Sequence, residues 1–184
     1  MTNPVEREIK LRFDSPEAAR AAVEAIGATL VRTRRLQDDR LLDSADGRLR
    51  RKACALRVRT ENGVATLAFK DTPQQDSMKV REELETGVTD GSLLLRVFEK
   101  LGLNLSFHYQ KYREEFECGS IVVAIDETPL GTFVELEGDE DGITELALAL
   151  ERTPEDYIVD SYRALFEKHC EKRGLSTTHM IYDP

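Results

Sequence analysis

The sequence predicts an α+β protein built on a closed eight-stranded antiparallel β-barrel with helices packed on the outside. Three observations carry that expectation. Eight stretches read as strands, several of them alternating apolar and polar side chains at the two-residue period of a strand. Short turns or single helices join them, as antiparallel neighbours allow. On five of them the polar face is charged rather than merely hydrophilic: Glu6/Glu8/Lys10, Arg57/Arg59, Arg81/Glu83/Glu85, Lys111/Arg113 and Glu135/Glu137. Eight such strands can close on themselves and leave no free edge. The apolar faces are then expected outward beneath the helices, with the charged rows around a wet interior.

The elements follow in order. Residues 4–13 read as the first strand. Ser15-Pro16 opens a helix through about Ile26, with Ser15 as N-cap, Pro16 at the first position and Gly27 as the stop. An extended segment runs over 29–43 and turns at 43–47, and the basic stretch 48–52 is a short helical turn or a loop. Strands 54–60 and 64–70 flank Glu61-Asn62-Gly63, whose Asn-Gly pair favours a hairpin turn. After a polar loop at 71–76 comes a strand at 77–86. Thr89 or Asp90 caps a helix to about Leu101. Strands at 106–118, 121–127 and 130–138 follow, turning at Gly119-Ser120 and Thr128-Pro129. Helices are expected at 143–150 and 161–172, with no strong signal in the last ten residues.

The 184 residues suit a single domain over 1–184. A formal net charge of -9 argues against a general nucleic-acid partner. Within it, Arg48, Arg50, Arg51, Lys52, Arg57 and Arg59 cluster locally. Cys54, Cys118 and Cys170 are odd in number, widely spaced and without a CxxC, which disfavours a disulfide framework or a thiolate metal site. No apolar run approaches a membrane span and MTNPVEREIK has no signal-peptide core, so the expected location is cytoplasmic. His108, His169 and His179 are scattered, and no glycine-rich nucleotide loop or G-x-S-x-G appears. Tyr157, Tyr162 and Phe166 read as packing residues. Monomer and homodimer both remain open.

Each charged row by itself fits a solvated sheet face. As a set they are mostly Glu, Arg and Lys, and acids and bases segregate in pairs along each strand. Like charges two apart on one face repel. Paired carboxylates suit a hard divalent cation, and paired cations suit phosphate or carboxylate. The residues alone leave both readings open: a solvated face, or a site for metal and polyanion.

In order along the chain, these residues resemble the CYTH family, also called the triphosphate tunnel metalloenzymes. Glu6-x-Glu8-x-Lys10 matches the ExExK signature, and Leu56-Arg57-Val58-Arg59 the LRxR strand, with Lys70 on the next strand. Arg81-x-Glu83-x-Glu85 matches RxExE, Lys111-x-Arg113 the K-x-R pair, and Asp126 the aspartate before the last hairpin. Residues 130–137 match LGxFxExE, and Ser161-Tyr162 a common C-terminal helix start. One departure is that Leu41 and Leu42 follow Gln37-Asp38-Asp39-Arg40 where relatives often carry an aromatic residue.

The resemblance implies a tunnel that binds a triphosphate-containing small molecule with Mg²⁺ or Mn²⁺. Lys10, Arg57, Arg59, Lys70, Arg81, Lys111 and Arg113 would bind substrate. Glu6, Glu8 and Glu137 would hold metal, with Glu135 beside them. Lys10, Glu83, Glu85 and Asp126 are the catalytic candidates, the three acids either for a second metal or for orienting the basic residues. The expected activity is metal-dependent hydrolysis, of inorganic tripolyphosphate first or of another organic or nucleoside triphosphate. The alternatives are a class IV adenylyl cyclase making cyclic AMP and pyrophosphate, and a non-catalytic polyphosphate- or nucleotide-binding module.

Overall fold

Alternation in Val5–Phe13 (β1) sets the pattern of the whole sheet: Glu6, Glu8 and Lys10 point one way, Ile9 and Leu11 the other, and all five are buried. A side chain can be buried on both faces of a strand only where the sheet is covered on both sides. The computed structural model, which describes residues 5–74, 76–175 and 179–182, shows how that is achieved.

The remaining long strands are β2 (Thr29–Ser44), β3 (Ala55–Glu61), β4 (Val64–Lys70), β5 (Lys79–Val88), β6 (Leu103–Cys118), β7 (Ile121–Thr128) and β8 (Gly131–Glu137). They lie in the order β2-β3-β4-β5-β1-β8-β7-β6, and β2 also pairs with β6. That last pairing closes the barrel, and every pairing in the ring is antiparallel. The two sixteen-residue strands form the closure, running from Thr29 opposite Glu117 to Ser44 opposite Leu103.

Five helices accompany the barrel: α1 (Pro16–Ala25), α2 (Arg48–Arg51), α3 (Gly91–Lys100), α4 (Glu140–Ala149) and α5 (Tyr162–Arg173). Ser15 accepts the Ala18 N–H, Asp90 the Leu93 N–H and Ser161 the Ala164 N–H, so three starts are set by local side-chain caps. Three elements differ from expectation by two residues or more. α4 starts at Glu140, not Ile143, because Asp139 accepts the Gly142 N–H at 2.8 Å and begins the helix earlier. β6 starts at Leu103, not Ser106, since β2 extends far enough to pair with it. β5 starts at Lys79, two residues later than expected. In the last ten residues, His179–Met180 forms a short β9 parallel to β6 at His108 and Tyr109, too brief for a periodic signal.

Two apolar clusters hold this arrangement. One lies on the outer wall, where Ile9, Leu11, Val123, Ile125, Val134 and Leu136 meet Ala19 and Val23 of α1 and Ile143 and Ala147 of α4. The other joins Tyr162, Phe166 and Cys170 of α5 to Phe107, Tyr109 and Phe133. Those last three share the strand parity of Lys111 and Glu135, so α5 packs on inward-facing rings and covers one end of the bore. Ile143 is fully buried. Ile143→Ala is expected to cost about 3 kcal/mol in urea unfolding, from lost apolar burial and the cavity left behind.

Candidate functional site

Inside the barrel is a cavity of about 780 Å³, within the size range of small-molecule sites. β1 contributes Glu6, Glu8 and Lys10 to its wall, β3 contributes Arg57 and Arg59, and β4 contributes Lys70. β5 adds Lys79, Arg81, Glu83 and Glu85; β6 adds Tyr109, Lys111 and Arg113; β8 adds Glu135 and Glu137. The segment entering α5 supplies Ser161 and Tyr162. All the sequence candidates therefore meet in one space except Asp126, which lies fully buried behind Lys111 and Arg113.

The like-charged pairs along each strand become opposite-charge pairs across strands. Glu6 lies opposite Arg81, Lys10 opposite Glu135, Lys70 opposite Glu83 and Arg113 opposite Asp126. Lys70 reaches Glu6 at 2.7 Å and Glu83 at 2.8 Å, and Arg81 reaches Glu6 at 3.4 Å. Lys10 lies 3.1 Å from Glu8 and 3.2 Å from Glu135. Arg57 touches Glu83 at 3.5 Å and Glu85 at 3.4 Å. Arg113 bonds Asp126 through Nε at 2.6 Å and also meets Glu135. One register runs the other way: Glu8 stands directly opposite Glu137, where like charges repel.

These fields set the charge states. Burial pushes Glu8 up, but Lys10 and Lys79 together outweigh it and hold the carboxyl well below its usual range. Glu135 is likewise held low against its burial by Lys10, Arg113 and Lys111. Burial, seconded by Arg113, brings Lys111 down to about 8 in spite of Asp126 and Glu135. Lys79 also falls to about 8: burial dominates, Glu8 opposes it, and Lys10 and Arg81 add to it. Glu137 rises to about 7 through burial and then through the charges of Glu6 and Glu8.

Four important residues escaped sequence reasoning. Asp39 is fully buried and grips Arg59 with two hydrogen bonds of 2.8 and 3.2 Å while lying 3.5 Å from Arg57. It does for the β3 cations what Asp126 does for the β6 cations. Its Gln-x-Asp setting was visible, but its partner across the β2–β3 register was not. Tyr162 packs as expected, yet its hydroxyl also donates to Asp126 at 2.7 Å, and Lys10 and Lys111 lie 5.4 and 5.0 Å from its ring centre. Tyr109 lines the wall beside Arg57, and Lys79 holds Glu8. Tyr109 sits at the correct parity in its strand, the signal that could have found it; Lys79 shares the charged face of Arg81, Glu83 and Glu85, and only its partner Glu8 was hidden. Leu41 and Leu42 also line the cavity.

The donor set suits a hard divalent cation. Carboxylate oxygens are the ligands Mg²⁺ and Mn²⁺ favour. Among the described residues Glu137 makes no side-chain hydrogen bond or ion pair, and its neighbours Glu6 and Glu8 make its ionisation costly. A cation among the three would remove that cost. Among the described residues, no three such side chains are arranged as a finished metal cage; the Glu6 and Glu8 oxygens are turned to ammonium groups.

A model of the CYTH domain matches residues 5–162. The chain belongs to the CYTH family. A Methanocaldococcus jannaschii protein provisionally named an adenylate cyclase is 29% identical to this CYTH protein over 152 residues, covering 82% of this chain and 86% of that one. A solved Vibrio parahaemolyticus protein with the same provisional name shares the fold at TM-score 0.77 and 18% identity, over 90% of this chain and 99% of its own. A Hippeastrum protein, provisionally an adenylyl cyclase and described as having a dominant triphosphatase activity, superposes at TM-score 0.67 and 21% identity, over 89% and 96% of the two chains.

Glu137 gives a test of the charge arrangement. Its raised value means that the native state keeps a proton which the unfolded chain releases near its ordinary 4.5. Stability from this group therefore falls as pH rises from about 4.5 to about 7, and stays lowered above that. Glu137→Gln is expected to stabilise the metal-free protein by about 2 kcal/mol at pH 8. Near pH 4 the gain should vanish. Urea unfolding in EDTA at the two pH values measures the difference.

Proposed function

We propose that this CYTH protein is a metal-dependent triphosphate hydrolase acting inside the barrel, with inorganic tripolyphosphate as its first substrate. The supporting observation is the wall itself: the seven predicted cations and the six predicted glutamates line one cavity, each of those cations held in place by a carboxylate. A triphosphate carries about four or five negative charges near neutral pH, and this cationic lining is the matching counter-field in a partly dry space.

Arg57, Arg59 and Arg113 present forked guanidinium groups suited to phosphate oxygens. Asp39 and Asp126 fix their orientation before substrate arrives, so little reorganisation remains for the reaction itself. Lys10 and Lys70 add ammonium charges, and Arg81 a fourth guanidinium, that can leave a glutamate for a phosphate, while Lys111 adds an ammonium held by Asp126. Glu6, Glu8 and Glu137 would hold Mg²⁺ or Mn²⁺, which supplies charge neutralisation at the phosphates and an acidified water. Glu83 is tied to Lys70 and Arg57 and positions both. Glu85 is more exposed and touches only Arg57 among the described cations, which makes it the candidate to take a proton from an attacking water.

The cyclase is the second reading, favoured by the name of the Methanocaldococcus relative. It needs the same clamp but a ribose hydroxyl as nucleophile at the α-phosphate. At Leu41 and Leu42 the cavity has aliphatic side chains, so a base there would have no ring to stack on, and the aromatic rings of the wall, Tyr109 and Tyr162, are packed among the cations instead; this supports an inorganic substrate over a purine nucleotide. The complete carboxylate set speaks against a module that only binds.

Purified protein incubated with tripolyphosphate, ATP or thiamine triphosphate, with Mg²⁺ or Mn²⁺, decides among these. Phosphate release, fastest from tripolyphosphate, is the expected result; cyclic AMP with pyrophosphate makes it a cyclase, and binding without product makes it a binding module. Glu8→Gln should abolish metal-dependent turnover with the circular dichroism spectrum unchanged. Arg57→Ala should raise KM, lower kcat and reduce kcat/KM by about a hundredfold; a wild-type rate profile would contradict its phosphate role.

A further inference from the structure

Glu8 takes two ammonium groups on one carboxylate oxygen. β1 places it between two neighbours at the same register level, Glu137 on β8 and Lys79 on β5. The Lys79 ammonium bonds Glu8 Oε1, and Lys10 bonds the same oxygen at 3.1 Å. Lys79 is buried to 7% exposure, and Glu8 is its only ion-pair partner among the described residues. Lys10 differs, because it divides itself between Glu8 and Glu135. Lys79 therefore has one electrostatic job in this state, to neutralise a carboxylate that also faces Glu137.

We propose that Lys79 is an internal stand-in for the divalent cation at Glu8: metal takes its place there only when the ammonium moves away, and a bound polyphosphate is what draws it away. The inference rests on the triphosphate reading of the cavity. Lys79 and a divalent cation compete for the same oxygen, and each raises the electrostatic cost of the other. A polyphosphate reverses the balance because it attracts both. Lys79 shifts from Glu8 to a phosphate oxygen and frees Glu8 beside Glu6 and Glu137. Metal and polyanion then favour each other's binding, a reciprocal coupling required by linkage. The device keeps Glu8 charged and paired while the cavity has no ligand, and reserves it for metal that arrives with substrate.

The test uses two binding measurements with no turnover. Mn²⁺ binding to the protein alone is followed by the electron paramagnetic resonance signal of free Mn²⁺. Tripolyphosphate binding in EDTA is followed by calorimetry. Lys79→Met is expected to bind Mn²⁺ about tenfold more tightly than wild type and tripolyphosphate several-fold more weakly. Lys79→Arg, which keeps a cation on Glu8, should stay close to wild type in both. A residue that only supports the fold would not move the two affinities in opposite directions. If the methionine variant does not fold, Lys79→Gln carries the same measurements. Tripolyphosphate binding by the wild type together with an unmoved or weakened Mn²⁺ affinity in the variant overturns the role of Lys79 alone. Absence of wild-type tripolyphosphate binding in EDTA overturns the anion reading of the cavity, and this inference with it.

Discussion

Opposite charges facing one another across neighbouring strands are the constraint on which this barrel depends. So many ionised side chains inside a cavity would be ruinous if each stood alone, since the cost of removing an isolated ion from water far exceeds the stability of any domain. The antiparallel register removes that cost pair by pair, as in Glu6 with Arg81, Lys10 with Glu135, and Arg113 with Asp126. Such pairs contribute little net stability of their own. Their value is orientation: they hold guanidinium and ammonium groups in an open space without letting the wall collapse. Glu137, opposite Glu8, is the place where the pairing is left incomplete.

Since the bore is given over to charge, apolar burial must happen elsewhere. It happens on the outer wall, where α1 and α4 cover the side chains between the charged ones, and at one end, where α5 packs on Phe107, Tyr109 and Phe133. This is a small barrel with its core on the outside. α5 has a double role as a consequence. Its apolar face closes the end of the bore, and its first residue, Tyr162, donates to Asp126 and so reaches the cations on β6. Packing and site geometry are thus mechanically linked through one hydroxyl group.

Two buried aspartates show how the cavity is kept ready. Asp39 and Asp126 are both fully buried, and each grips a pair of cations two residues apart, Arg57/Arg59 and Lys111/Arg113. Neither needs to touch a ligand to matter. They convert flexible, mutually repelling side chains into a fixed array of donors, which is the form of electrostatic preorganisation that a charged substrate rewards.

Period-two alternation, the Asn-Gly hairpin and the Ser and Asp helix starts were legible in the linear chain because they are local. The ordered rows from Glu6 to Glu137 were legible too, because a strand puts every second side chain on one face wherever it lies in space. Local pattern therefore determined the strands, the closed class of the barrel and most of the charged wall. It could not say who faces whom. Asp39 with Arg59, Lys79 with Glu8 and Tyr162 with Asp126 join residues 20, 71 and 36 positions apart. β9 was equally hidden, being two residues long. Those partnerships come from register and barrel closure, and only the folded chain, by bringing distant charges within hydrogen-bonding reach in a space with little water, decided which carboxylate each cation would hold.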